Sequence, residues 1–281
     1  MSGFSTLTGP GSQPLEEDGA ELAYMEMPKG MRTYSIPSVP EKEEARGFGP
    51  ALEKLEEVLA ALETAPPAGG TLRIDLDALD KPNREFIGQV LGEGEVSIIA
   101  GASLQVQESV LAGVWRIYEV DANGALASDR IEVGDFPESV LKAAQELAGS
   151  CLLPAESAAD PNLMNAPAIA TELADRLAAY LNGDAPHVIN LSLLPLTDED
   201  SAYLGQRLGQ GQVTVLSRGY GNCRISSTAV TNAWRVRYFN SREAVILDTI
   251  EVTHVPAVAC AAKEDLEDSA ERLAEILEVY R

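Results

Sequence analysis

The strongest constraint on this chain is that it repeats itself. Gly88-Gln89-Val90-Leu91-Gly92-Glu93-Gly94-Glu95-Val96 recurs as Gly205-Gln206-Arg207-Leu208-Gly209-Gln210-Gly211-Gln212-Val213, a spacing of 117 residues from Gly88 to Gly205. After a gap of two, Trp115-Arg116 recurs as Trp234-Arg235, a spacing of 119. Ile131-Glu132-Val133 and Pro137 recur as Ile250-Glu251-Val252 and Pro256 at that same spacing of 119. A Trp, an Ile-Glu-Val, a Pro and two Gly pairs in one order are not a chance alignment, so the sequence reads as an internal duplication. Two copies of one unit are expected to sit about a pseudo-twofold axis, as homodimers do.

Periodicity fills in the unit. Leu52, Leu55, Val58, Leu59 and Leu62 form a helical stripe, and Pro66, Pro67, Gly69 and Gly70 end it. A strand over Thr71–Leu76 and a short helix over Asn83–Leu91 follow, then strands over Glu95–Ala100, Val110–Val120 and Ser128–Val133. The last two are joined by the hairpin signal Asp121-Ala122-Asn123-Gly124. A helix opens at Pro137 and carries Val140, Leu141, Ala144 and Leu147. The second half repeats the order: a helix with Ile169, Leu173, Leu177, Tyr180 and Leu181, a strand over Val188–Leu193, and a helix over Asp198–Leu208. Strands over Gln212–Ser217, Ser226–Phe239 and Glu243–Val252 come next, and a last helix carries Leu266, Leu273, Leu277 and Tyr280.

The fold class expected is therefore α/β (α+β), a duplicated α-β-α-β-β-β-α unit. Its sheets are mostly antiparallel, one in each copy and each covered by helices on one face. The boundaries are an extended arm over 1–48, a first repeat over 49–153 and a second over 163–281, with Pro154–Asn162 as linker. Within the arm, Met25, Met27, Met31, Arg32 and Tyr34 stand among prolines that favour extended chain. Apolar anchors of this kind either strap the arm across its own domain or pack on a partner, where Met adapts well.

Charge narrows the function classes. With 44 acidic against 21 basic residues the formal net charge is −23, which makes nucleic acid a poor partner. A basic peptide or cationic protein face suits such a field better, although acidity also simply keeps a protein in solution. No run of 18 apolar residues and no basic-then-apolar leader appears, so neither membrane insertion nor a signal peptide is expected. Three distant cysteines (Cys151, Cys223, Cys260) argue against a disulfide framework, and the chain is expected to be cytoplasmic.

The duplication also supplies a control for locating a site, because what both copies share is structural. The turn Arg218-Gly219-Tyr220-Gly221-Asn222-Cys223-Arg224 fails that test of sameness. Its counterpart, beginning Gly101-Ala102-Ser103-Leu104-Gln105, lacks the Tyr, the Cys and both Arg. Arg218 and Arg224 flank Cys223, and adjacent positive charge favours thiolate. Cys223 then reads either as a redox-active or cluster-contacting thiol or as a small half-buried residue in a tight turn. A single cysteine cannot hold zinc or an iron–sulfur cluster, and no Ser/His/Asp arrangement is present. Gly219-X-Gly221 precedes strand rather than a helix N-terminus, so it is not a phosphate loop. The residues make no case for an enzyme, a resident cofactor or a metal site.

Arg218–Arg224 with Ile225-Ser226-Ser227-Thr228, then Trp234, Tyr238-Phe239-Asn240-Ser241 and Asp248-Thr249-Ile250-Glu251-Val252, resembles the HupH/HyaF/HoxQ family of hydrogenase expression proteins. The match is close from Leu191 to Pro256, and the Met31-Arg32-Thr33-Tyr34 stretch is similar to the family's N-terminal region. The resemblance implies an accessory factor in maturing an uptake [NiFe]-hydrogenase. It would serve the precursor of the iron–sulfur small subunit, which carries a twin-arginine export signal, and would work with a small thioredoxin-like chaperone of the HyaE/HoxO type. It carries over no catalytic residues. Candidate partner-binding positions are Arg218–Arg224 together with Met31, Arg32 and Tyr34. The alternative is an iron–sulfur or redox factor acting through Cys223 during small-subunit cluster assembly.

Overall fold

The computed structural model describes residues 45, 47–64, 70–146, 148, 163–219 and 221–281. Almost all of the expected arm, the whole of the linker, and Met31, Arg32, Tyr34, Cys151 and Tyr220 lie outside the described residues. The first half contains helix α1 (Gly49–Thr64), β1 (Leu72–Asp75), α2 (Lys81–Leu91), β2 (Val96–Ala100), β3 (Leu104–Glu108), β4 (Val114–Val120), β5 (Leu126–Val133) and α3 (Glu138–Glu146). The second contains α4 (Ala166–Leu181), β6 (His187–Asn190), α5 (Asp198–Leu208), β7 (Val213–Ser217), β8 (Asn222–Ser227), β9 (Ala233–Phe239), β10 (Val245–Val252) and α6 (Lys263–Tyr280).

All ten strands join one sheet, in the order β1-β5-β4-β3-β2-β7-β8-β9-β10-β6, with every neighbouring pair antiparallel. The sequence pointed to two sheets. There is one because β2 and β7, each an edge if its half stood alone, pair with each other and leave no exposed ladder there. Val96 faces Ser217, Ile98 faces Val215 and Ala100 faces Val213. The strand order therefore reads the same from either end, with Ile98 and Val215 at its centre.

Each half has one strand more than the unit read from the sequence. Ser226–Phe239 holds the end of β8 (Asn222–Ser227) and then β9, separated by a turn over 228–232, and β3 (Leu104–Glu108) is the matching extra strand in the first half. Asn232 adopts a left-handed φ of 60° there, as Gly113 does (φ 78°) between β3 and β4. The Ser109 and Thr228 hydroxyls donate to the carbonyls of Leu111 and Val230, closing the two turns in the same way.

Three apolar layers hold the sheet. Leu55 and Val58 of α1, Phe86 and Ile87 of α2 and Ile74, Ile131 and Val133 of the strands form one. Ile169 and Leu173 of α4, Leu204 of α5 and Ile189, Ile250 and Val252 of the strands form a second at the other end. A third lies over the middle, on the face to which alternation turns Ile98, Val106, Trp115, Val215, Ile225 and Trp234, beneath α3 and Ala259. Leu266, Leu273 and Leu277 of α6, the last helix of the second half in sequence, enter the first half's core, where α6 packs along α1.

Helix starts repeat with one informative difference. The Asn83 side-chain oxygen accepts from the Ala51 amide at 3.2 Å, tying α2 to the start of α1. At the matching place in the second half stands Asp200, fully buried, accepting from the amides of Met164, Asn165, Ala166 and Thr197. Burial works to raise its pKa, but the backbone donors outweigh it and hold the carboxyl below its ordinary 3.8. A depressed pKa means stability that is present above the unfolded value and lost as pH falls through the folded one. Thermal melts should therefore show Asp200→Asn less stable than the parent at neutral pH. The two should converge as pH falls through the carboxyl's lowered folded-state value, where the parent's carboxyl is protonated as well. A gap that persists at acid pH would assign the effect to shape rather than charge.

Candidate functional site

The turn singled out by the sequence links β7 to β8 at the middle of the sheet, and its exposed residues include Arg218, Gly219, Gly221 and Asn222. Gly221 takes φ 98°, which only glycine adopts without strain. The Arg218 amide donates to the Glu95 carbonyl at 3.2 Å, and the Glu95 carboxylate lies where a Cβ on Gly219 would sit. The first half makes the reciprocal contact: the Gly101 amide donates to the Gln212 carbonyl at 2.9 Å. Each half's turn is thus moored to the residue that precedes the other half's central strand. The Gly-X-Gly turns after α2 and α5 hold the strands behind them. A Cβ on Gly94 would overlap the Ser109 carbonyl, and one on Gly211 would overlap Ser227.

Cys223 and Arg224 are neighbours in sequence and point to opposite faces of β8. Cys223 is 4% exposed and packs in the central core with Ile225 and Val236. Burial pushes its thiol up to about 11, against a lowering by the Tyr238 hydroxyl beside it. The expectation of thiolate favoured by flanking arginines is corrected: alternation puts Arg224 across the sheet, and desolvation dominates. Cys260 packs against the same core, its thiol pushed up to about 12 by burial and then by Asp135. Alkylation of Cys223 in the native protein should keep accelerating with pH towards 11. A plateau by pH 8, followed by mass spectrometry, would show an activated thiol. Among the described residues no group of three or more His, Cys, Asp or Glu side chains is arranged to hold a metal ion.

Alternation turns Arg224, Arg235 and Arg237 to the opposite face, away from the central core. Arg224 stands directly across from Arg237 in the β8–β9 register, and Ser226 across from Arg235. Arg235 is paired with Asp248 through two hydrogen bonds of 2.9 and 2.7 Å. Arg224 lies over the Phe239 ring at 5.6 Å. Among the described residues, neither Arg224 nor Arg237 has a carboxylate within ion-pair distance. In the first half the same places hold Gln105 and Tyr118, also directly opposite one another. Sequence reasoning did not put Arg224 on one face with Arg235 and Arg237, because the turn between β8 and β9 resets the register.

Comparison with known proteins places this fold and its asymmetric turn in a family. The sequence model for the HupH hydrogenase expression protein, C-terminal conserved region, matches twice, at residues 50–158 and 163–280. The chain is 50% identical over 277 residues to the hydrogenase expression/formation protein HupH of Rhodobacter capsulatus, covering 97% of this chain and 96% of that one. It is 47% identical over 273 residues to HoxQ of Cupriavidus necator, which carries the same description, covering 96% and 95%. Against the hydrogenase-1 operon protein HyaF of Escherichia coli the identity is 33% over 282 residues, covering 97% and 95%. A solved structure of the hydrogenase expression protein HupH from Thiobacillus denitrificans ATCC 25259 aligns at 32% identity over 41% of this chain and 93% of that one, with a TM-score of 0.37. The chain belongs to the HupH family of hydrogenase expression proteins. Among the described residues no helix is long and apolar enough to cross a membrane.

Proposed function

We propose that this protein is a maturation chaperone for the iron–sulfur small subunit of an uptake [NiFe]-hydrogenase, holding the precursor with its twin-arginine leader before export. The observation that carries the reading is similarity over nearly the whole chain to proteins named for hydrogenase expression and formation. It acts by binding rather than by catalysis, beside a thioredoxin-like chaperone of the HyaE/HoxO type. A twin-arginine leader is basic, and a body of formal charge −23 attracts it. The alternative, redox or cluster chemistry at Cys223, is disfavoured by a thiol that is buried and protonated at neutral pH.

The test is anaerobic capture of the small subunit, made with and without its leader, on the purified protein. Leader-dependent recovery that weakens as salt is raised is the expected result, since screening shortens the field to about 8 Å at physiological ionic strength. Equal recovery without the leader would overturn leader recognition. Iron bound to this protein and lost in Cys223→Ser would overturn the binding-only reading.

A further inference from the structure

We propose that the sheet face carrying Arg224 and Arg237 is a docking surface for an acidic segment of a protein partner, distinct from the surface that attracts the basic leader. Directly opposed side chains on neighbouring antiparallel strands have Cβ atoms about 4.5–5.5 Å apart, and like charges so placed repel. Arg224 and Arg237 are such a pair. Asp248 stands directly across from Arg237 but gives both its hydrogen bonds to Arg235, so among the described residues neither Arg224 nor Arg237 has an ion pair, in a chain with 44 acidic residues against 21 basic. Burial is the main cause that holds the Arg237 pKa below its ordinary value; Arg235 lowers it further, Asp248 opposes this, and Arg224 adds the smallest lowering.

A structural reason for the pair is missing, and the duplication shows that none is needed. The same fold position is filled by Gln105 and Tyr118 in the first half, while the buried pair beside it is kept as Arg116–Asp129. The two extra arginines are therefore a feature of the second half alone. Their neighbourhood also fits recognition of carboxylates: the Ser226 side chain lies on the same face, and Phe239 holds the Arg224 guanidinium in place. Two guanidinium groups on directly opposed strand positions suit two carboxylates of an extended acidic stretch, each able to accept two parallel N–H bonds. The proposal goes beyond the leader-binding reading and calls for a second partner, of opposite charge to the leader.

Fluorescence anisotropy with the full-length protein and a labelled hexaglutamate peptide tests it at physiological salt, with hexalysine and inorganic polyphosphate as separate probes. The expected result is saturable hexaglutamate binding that weakens about tenfold or more in each of Arg224→Gln and Arg237→Gln. Both variants should melt at or above the parent temperature, because a repulsion has been removed. Capture of the leader-bearing small subunit by Arg237→Gln should be undiminished, since the change makes the body more acidic and Arg237 lies outside the turn read as partner-binding; this separates failure here from failure of the chaperone reading. Hexaglutamate binding that is absent, or indifferent to both substitutions, overturns the proposal. So does binding of polyphosphate alone, or a melting temperature that falls in both variants, which would make the arginines structural.

Discussion

Asp129→Ala is expected to cost about 3–5 kcal/mol, and Asp248→Ala, at the equivalent place in the other half, much less. Arg116 and Asp129 meet diagonally across β4 and β5 with hydrogen bonds of 2.6 and 2.7 Å, and their side chains are 9% and 3% exposed. Removing the carboxylate strands a guanidinium where water cannot reach it, and that uncompensated desolvation is what makes the loss large. Arg235 and Asp248 keep the same two-pronged geometry at 25% and 19% exposure, so water can take over part of the missing carboxylate's work. Chemical denaturation of the two variants side by side checks this. Equal losses would show that burial does not set the value of the pair. Replacing both Arg116 and Asp129 with apolar residues of similar size should be far less damaging than either single change.

The second large effect is expected at Trp115. The side chain is fully buried, meets Phe136 edge-on at 6.0 Å and donates its indole N–H to the Gly134 carbonyl at 3.0 Å. Truncation to Ala removes the ring and leaves that carbonyl unsatisfied, at a cost of about 3–5 kcal/mol. Trp234, its counterpart, is 3% exposed and donates to the His254 carbonyl at 3.2 Å, so Trp234→Ala should fall in the same range. The two rings belong to one core under α3 rather than to two. Their effects should therefore not add in the double variant, because the second truncation enters a core already loosened. Strict additivity in denaturation would show that the halves melt as separate bodies.

What the sequence could and could not say follows from the range of each signal. The helices were legible because a stripe such as Leu55, Val58 and Leu62 is a local pattern that only a helix brings together. The single sheet was not, because the pairing of β2 with β7 joins residues more than a hundred positions apart, and nothing local distinguishes a paired edge from a free one. The break between β8 and β9 was hidden by alternation that continues on either side of it. Yet a signal existed: Gly113 marks the same break in the first half, and the repeat places it on Asn232. The reactivity expected of Cys223 came from counting charges along the chain. In a strand, immediate neighbours point apart, so Arg224 was the least suitable residue to activate it and the best placed to meet Arg237.

The packing of α6 against α1 has a consequence for how the protein is made. Synthesis runs from the N-terminus, and independent domains can fold as they emerge. Here Leu266, Leu273 and Leu277 belong to the core of the half that is made first. That half must wait, with one side of α1 and the rim of its sheet uncovered, until α6 has left the ribosome. A chain stalled before Lys263 would display an apolar surface with no partner of its own, and would be a substrate for aggregation or proteolysis. Completing the core of the first half is thus tied to the making of a helix that follows the whole of the second half's sheet.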